Sequence, residues 1–313
     1  MLDGIVGVFA DLQAGLFEGL VQPVLFVLGL GHRLPEGFAA TGWLLVGVVQ
    51  LLVLLAVIGP LQRWRPVEPV TDRQTVRVDI LYTVIQRLGL IRLLVFFTLE
   101  PLLDRAFGGL RLLGWGAWQL DDLWPGVTDR AWVSLLLYLV VLDFLGYWVH
   151  RGQHGLNAWW QLHALHHAQR QMTMWSDSRN HLLDDLVRDV LFALAAQCIG
   201  VAPGQFVALI ALTQLSESLQ HANLRLSFGR WGERLWVSPR FHRQHHAIDR
   251  GELRAGANYG VLLPWWDHLF GTACHEDRYD PTGVRDQVLQ GRDYGRGFLA
   301  QQWLGLLRLV GRA

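Results

Sequence analysis

An all-α, integral-membrane helical bundle is the architecture this sequence predicts, and three observations predict it. Of 313 residues, 51% are hydrophobic and only 17% charged, where soluble domains carry about 25% charged residues. Mean hydropathy is positive, at +0.23. Several apolar runs approach the ~20 residues needed to cross a bilayer. Eight of the thirteen histidines fall in three clusters at helical spacing, near the ends of apolar runs. About four to six membrane-embedded helices are expected, one pair of them a hairpin, with a cytosolic histidine-rich helical cap.

The elements follow in order. Leu16 to Leu30 is apolar, and its pattern is compatible with spanning, re-entering or lying in the interface. The clearest span is 41–59, apolar from Trp43 to Ile58 except for Gln50. Arg63, Arg65, Arg73 and Arg77 follow it and place its C-terminal end on the cytoplasmic side. Residues 80–103 are expected to form one helix, with Arg87 and Arg92 set in protein or at the headgroups. An outer loop from Gly108 to Arg130 leads to the next span, 131–149, which ends directly at His150. Two apolar segments within 186–219 are split by Gly200-Val201-Ala202-Pro203-Gly204, which reads as a tight helical hairpin. Beyond Asn223 the chain is more polar. Trp231, Trp236, Trp265 and Trp266 suit a cap at the membrane interface. Phe298 to Val310 reads equally as an interfacial amphipathic helix or as a helix packed on the cap. No linker divides the chain, so 1–313 is expected to be a single membrane-embedded domain.

Composition excludes some classes. Net charge is zero, so nothing draws the chain to nucleic acid. Every basic residue is arginine, which points to a GC-rich, bacterial genome and hence to a bacterial inner membrane. Cys198 and Cys274 are too few and too far apart for a disulfide framework. The N-terminus lacks the basic start of a secretory signal, and Asp3 and Asp11 interrupt it.

The chemistry lies in the clusters His150-x3-His154, His163-x2-His166-His167 and His242-x2-His245-His246. Spacings of three and four place side chains on one helical face. Leaving so many imidazoles buried and unpartnered would cost a few kcal/mol each, and metal binding removes that cost. An all-imidazole set excludes Mg and Ca, which prefer oxygen. Eight ligands are too many for one ion and suit two. No H-E-x-x-H metalloprotease spacing is present. Copper would more often recruit Cys or Met, and only 3 Met occur. Two iron ions fit the count best. Traced along the chain, all three clusters emerge on the cytoplasmic side of the membrane.

The segment Asp143-Phe144-x2-Tyr147-Trp148-x-His150-Arg151-x2-His154 resembles the first histidine box of the fatty acid hydroxylase superfamily, also called the sterol desaturase family. Trp160-x2-His163-x2-His166-His167 is similar to the second box, and Pro239-x-Phe241-His242-x2-His245-His246 to the third. Asn258-Tyr259-Gly260 and Trp266-Asp267-x-Leu269-Phe270-Gly271-Thr272 resemble the tail that follows. The likeness covers roughly 131–272, with the catalytic region at 143–272. It implies a membrane-bound non-haem di-iron oxidoreductase that uses O2 and external electrons to hydroxylate or desaturate unactivated C–H bonds of a lipid or sterol-like substrate.

Two further histidines carry over from this likeness. His221, after the hairpin, resembles the family's isolated ligand between boxes two and three. His181 resembles a family histidine usually followed by Pro, where Leu182 stands here. The expected metal ligands are therefore His150, His154, His163, His166, His167, His181, His221, His242, His245 and His246. Ligating imidazoles need their second nitrogen held, and Asp143, Asp184, Asp185, Glu217, Asn223 and Asn258 are the candidate holders. Trp148, Trp159 and Trp160 either line a substrate channel or anchor the interface. His32 is expected to hold no metal, and His268 and His275 to have a structural or surface role. No flavin or haem-domain fingerprint is visible, so electrons must come from a separate ferredoxin, cytochrome or reductase. Two other classes compete. A metal or proton transporter would set ionisable groups near the bilayer midplane, and a haem-binding electron carrier would use isolated histidines on facing helices.

Overall fold

The computed structural model describes residues 2–90, 100–248 and 256–313, and the described residues are helical throughout apart from loops and one isolated bridge. The helices are α1 (Leu2–Leu16), α2 (Gln22–Val27), α3 (Leu34–Val53), α4 (Gly59–Trp64), α5 (Arg73–Arg87), α6 (Glu100–Leu112), α7 (Ala131–Gly155), α8 (Asn157–His167), α9 (Leu182–Ile199), α10 (Pro203–His221), α11 (Gly229–Gly232), α12 (Pro239–His245), α13 (Trp265–Leu269), α14 (Arg285–Gln290) and α15 (Phe298–Leu309). Two continuous stretches are long and apolar enough to cross a membrane, Gly31–Trp64 and Ala131–Gly155. The chain is a membrane protein built from helices, because only helices can satisfy every backbone group of such runs within lipid.

Packing divides the chain into two compact units, 1–53 with 84–114, and 54–83 with 115–313. The sequence gives no sign of this division, because the boundary after Val53 falls inside an unbroken helical stretch. In the first unit α1 and α2 pack on α3, with Phe17 and Phe38 meeting edge to face at 5.3 Å. Gly47 lies against the Arg87 carbonyl, where any Cβ would collide. Small residues of this kind let helices approach closely in lipid. The single helix expected over 80–103 does not form as such. α5 ends at Arg87, and Gly89 takes a left-handed φ of 70°, a conformation that costs glycine little and ends helices. Residues 91–99 of that stretch lie outside the described residues.

The second unit carries every histidine cluster. α7 runs for 25 residues and brings His150 and His154 into its last two turns. After Leu156, α8 starts at once and presents the second cluster. α9 is capped by left-handed Gly200 (φ 72°), and Pro203 opens α10, so the three residues 200–202 suffice to reverse the chain. α10 returns His221 as its last residue. Tyr138, Leu139 and Leu142 of α7 bury against Leu209 of α10 and against Leu262 and Leu263 of the tail. Leu54 and Ile58 bury against Met174, Ala222 and Leu224. The Arg179–Asp79 pair, 2.7 Å apart and buried, ties α5 to the loop before α9.

α15 packs on α8. On the same helix, Gly305 lies against the ring of His181, the residue that precedes α9, with no room for a Cβ. Gly305→Val is therefore expected to cost about 1–3 kcal/mol through overpacking. A thermal melt of the purified protein would show it as a midpoint several degrees lower, and an unchanged midpoint would contradict this packing.

Candidate metal centre

Nine of the ten expected ligands converge. His150, His154, His163, His167 and His245 form one group, and His166, His221, His242 and His246 form a second. Within each group all ligand nitrogens lie within 4.8 Å of one another. The groups abut, with His167 and His246 stacked at a ring distance of 4.2 Å.

Helix geometry explains who joins which group. At 100° per residue, positions i and i+4 diverge by about 40°, while neighbours diverge by about 100°. The i,i+4 pairs His150/His154 and His163/His167 therefore aim at the first group, and His242/His246 at the second. The i+3 members cross over: His166 joins the second group and His245 the first. The doublets His166-His167 and His245-His246 thus each serve both sides.

Four rings have their far nitrogen held by an acceptor, which fixes the lone pair on the other. His150 Nδ1 donates to the Tyr259 carbonyl at 2.9 Å, His245 Nδ1 to the Ala257 carbonyl at 2.8 Å, and His221 Nδ1 to the Glu217 carbonyl at 2.8 Å. A carbonyl can only accept, so each Nδ1 carries the proton and each Nε2 is left to ligate. His163 Nδ1 lies 3.0 Å from Asp184 Oδ2, the carboxylate–histidine arrangement that orients metal ligands. Asp184 Oδ1 also accepts from Gln153 Nε2 and Trp159 Nε1, both at 2.7 Å.

The remaining polar atoms test whether a metal fits. Both nitrogens of His154 and of His167 are buried without a hydrogen-bond partner, as are His163 Nε2 and His245 Nε2. So many orphaned buried nitrogens in one place would be costly unless a cation satisfied them. In the second group the Nε2 atoms of His166, His221, His242 and His246 follow one another at 3.1 Å. That spacing suits nitrogens sharing one ion about 2 Å from each. The residues present fit two metal ions.

Burial pushes His245 down to about 3 and holds His166, His167, His242 and His246 well below the ordinary 6.5. The rings are therefore neutral at pH 7 and free to donate lone pairs. The same depression makes the metal-free fold acid-sensitive. Between about 6.5 and about 3 the unfolded chain binds more protons than the folded one, so stability present above that window is lost as pH falls through it. Chelator-treated protein is expected to melt at a lower temperature at about pH 5 than at about pH 7.5. Equal midpoints would contradict the burial of these rings.

Several sequence expectations need correction. His181 stands outside both groups. It caps α9, its Nδ1 accepting from Leu183 N at 3.1 Å, while its Nε2 donates to the Gln302 carbonyl at 2.9 Å. With both nitrogens engaged it has none for a metal. Asp143 holds no histidine. It accepts from Leu262 N, Leu263 N and Trp266 Nε1, which anchors the tail that carries Tyr259. Asp185 pairs with Arg188 at 3.1 Å. Glu217 meets His221 through its main-chain carbonyl rather than its carboxylate. Asn223 binds the backbone of Val67 and Glu68, and Arg243 pairs with the Glu68 carboxylate at 2.8 Å, so both brace the floor beneath the third cluster. Asn258, at a left-handed φ of 60°, donates to the Phe241 and Cys274 carbonyls and fastens the tail to α12. Sequence reasoning also passed over Asp267, which accepts from Tyr259 N, Gly260 N and Thr272 Oγ1. Burial raises its pKa to about 6. An acid inside an otherwise aromatic tail motif was the available signal. His268 and His275 meet each other at 3.1 Å on the surface, away from both groups.

Residues 135–272, which hold all nine converging histidines, match the profile of the family described as fatty acid hydroxylase. This segment is similar to fatty acid hydroxylase domains. The chain is 30% identical over 183 residues to an ornithine lipid hydroxylase of Rhizobium tropici, covering 58% of this chain and 52% of that protein. It is 29% identical over 180 residues to an alkylglycerol monooxygenase of Xenopus tropicalis, covering 55% and 38%. It is 26% identical over 154 residues to a Delta(7)-sterol 5(6)-desaturase of Gibberella zeae, covering 48% and 46%. The matches thus span about half the length of these relatives, or less. No solved structure matches the chain.

Proposed function

We propose that this protein is an O2-dependent lipid oxidoreductase whose two histidine groups each hold one iron ion. The observation that carries the reading is the pair of adjoining all-imidazole groups, buried and aimed inward. His150, His154, His163, His167 and His245 would hold one ion, and His166, His221, His242 and His246 the other. Iron so bound supplies O2 activation and the one-electron chemistry needed to oxidise an unactivated C–H bond.

The protein's own residues do the rest. Asp184 and the carbonyls of Tyr259, Ala257 and Glu217 keep four rings in the ligating tautomer. Burial excludes water, which would otherwise divert reactive species. His150 is the only ring of the nine that is not fully buried, and it lies at the end of an apolar helix. A lipid chain or ring would therefore approach past His150, from the membrane. The relatives act on an ornithine lipid, on alkylglycerols and on a sterol by their names, and a membrane lipid is the substrate class proposed here. Hydroxylation and desaturation share the initial hydrogen abstraction and differ in where the substrate carbon is held. Electrons come from a separate ferredoxin, cytochrome or reductase. The ligands gather on the cytoplasmic side of a bacterial inner membrane, which is where such donors reside.

Two measurements test the reading. Purified protein should contain two equivalents of iron and show no Soret band. A strong Soret band would favour a haem carrier, and metal exchanging across liposomes would favour a transporter. Lipid extracts of a deletion strain and its parent, compared by mass spectrometry, should differ in one lipid class by one oxygen or by two hydrogens. Identical lipid profiles would overturn the assignment.

A further inference from the structure

The two faces of α15 are built for different surroundings. Its inner face is polar, and Gln302 and Arg308 bind the rest of the unit from it. Gln302 donates through Nε2 to the Tyr82 hydroxyl and the Asn180 carbonyl, and its Oε1 accepts from Leu182 N. Arg308, buried, donates to the Gln161 carbonyl at 3.2 Å, and its guanidinium lies 4.3 Å over the Tyr294 ring. Its outer face presents Leu299 (79% exposed), Trp303 (61%), Leu306 (39%) and Val310 (65%). The steps of four, three and four place these on one stripe. Arg308 is the only charged residue of the helix, and it is turned inward. This inverts the usual arrangement, in which a surface helix keeps its apolar stripe for the core and its charges for water.

We propose that α15 lies in the membrane interface, with its 299/303/306/310 stripe in the acyl–headgroup boundary and Arg296 and Arg312 on anionic headgroups. Two observations favour lipid over a protein partner. Arg296 and Arg312 are exposed at opposite ends of the stripe and form no ion pair among the described residues, which complements an anionic surface and anchors such helices. The helix is also continuous with the membrane-crossing part of the unit. It packs on α8, and α8 begins two residues after the end of the spanning helix α7. A tryptophan at the centre of the stripe suits the headgroup level. The inner face of the same helix holds Leu182 and His181 at the start of α9, so α15 joins the bilayer surface to the wall of the histidine-bearing unit.

The full chain, with Cys198 and Cys274 replaced, can be spin-labelled singly at Trp303→Cys, Leu306→Cys and, as an aqueous control, Asp293→Cys. The variants go into nanodiscs of zwitterionic lipid with or without phosphatidylglycerol. Labels at 303 and 306 should collide with O2 more than with a water-soluble nickel complex, and the label at 293 should do the reverse. Adding Arg296→Glu and Arg312→Glu should make the 303 label shallower in the anionic discs and little changed in the zwitterionic ones. The proposal is overturned if 303 and 306 behave like 293. It is also overturned if spin–spin broadening shows a second copy of the chain on the stripe, or if both reagents are excluded in every lipid, as under a protein cover. None of these outcomes depends on the metal content, so they do not bear on the proposed chemistry.

Discussion

Alanine at His166 and alanine at His167 should affect different ions although the residues are adjacent. His166 belongs to the four-membered group and His167 to the five-membered one. Removing one of four ligands leaves three, so His166→Ala is expected to drop metal content from two equivalents to about one. His167→Ala leaves four imidazoles and should retain the ion more weakly, releasing it at lower chelator concentration. Product formation should fall by at least about 100-fold in both, since outer partners of metal ligands alone are worth about 10–100-fold. The pair His245→Ala and His246→Ala should repeat the pattern with the doublet reversed. Metal analysis across a chelator titration reads the result. If both members of a doublet lost the same ion, the partition into two groups would be wrong.

Asp184→Asn should separate folding from metal binding. Oδ1 of Asp184 serves Gln153 and Trp159, so an asparagine must keep its oxygen there. Its amide NH2 then faces His163 Nδ1, which has to become the acceptor. The proton moves to Nε2, and the lone pair that should meet the metal disappears. Metal retention in the first group is expected to weaken by about 10- to 100-fold, while the melting temperature of the metal-free protein changes little. Asp184→Ala strands all three donors instead, each costing about 1–3 kcal/mol, so its metal-free protein should melt well below the parent. Full metal affinity in Asp184→Asn would remove the orienting role from this carboxylate.

The helical character and the gathering of nine histidines were legible because both follow from spacing. Turn-spaced imidazoles at the ends of apolar runs can hardly avoid a common pocket. The division into five and four is also a consequence of spacing, once i,i+4 pairs are kept together and i+3 members are sent across. His181 misled because residue type was all that could be read. Its place as the first cap of α9, and its contact with Gln302 more than a hundred residues away, decide its role. The acids misled in the same way. Asp143 lies seven residues before His150 and Asp184 twenty-one after His163, yet it is Asp143 that caps the tail backbone and Asp184 that holds a ring. The partners of His150, His245 and His221 are main-chain carbonyls, which any residue type supplies and no sequence pattern marks. The break at Gly89 was hidden because a glycine within an apolar run is compatible with either a continuing helix or its end.

α8 and α12 each send rings to both groups, so neither ion can seat without setting two of the helices that cradle its neighbour. Uptake should therefore be cooperative: the first cation preorganises the second cradle, and half-filled molecules should be scarce when metal is titrated into the empty protein. An engineer wishing to exchange one ion for another element would find that the two positions cannot be tuned independently.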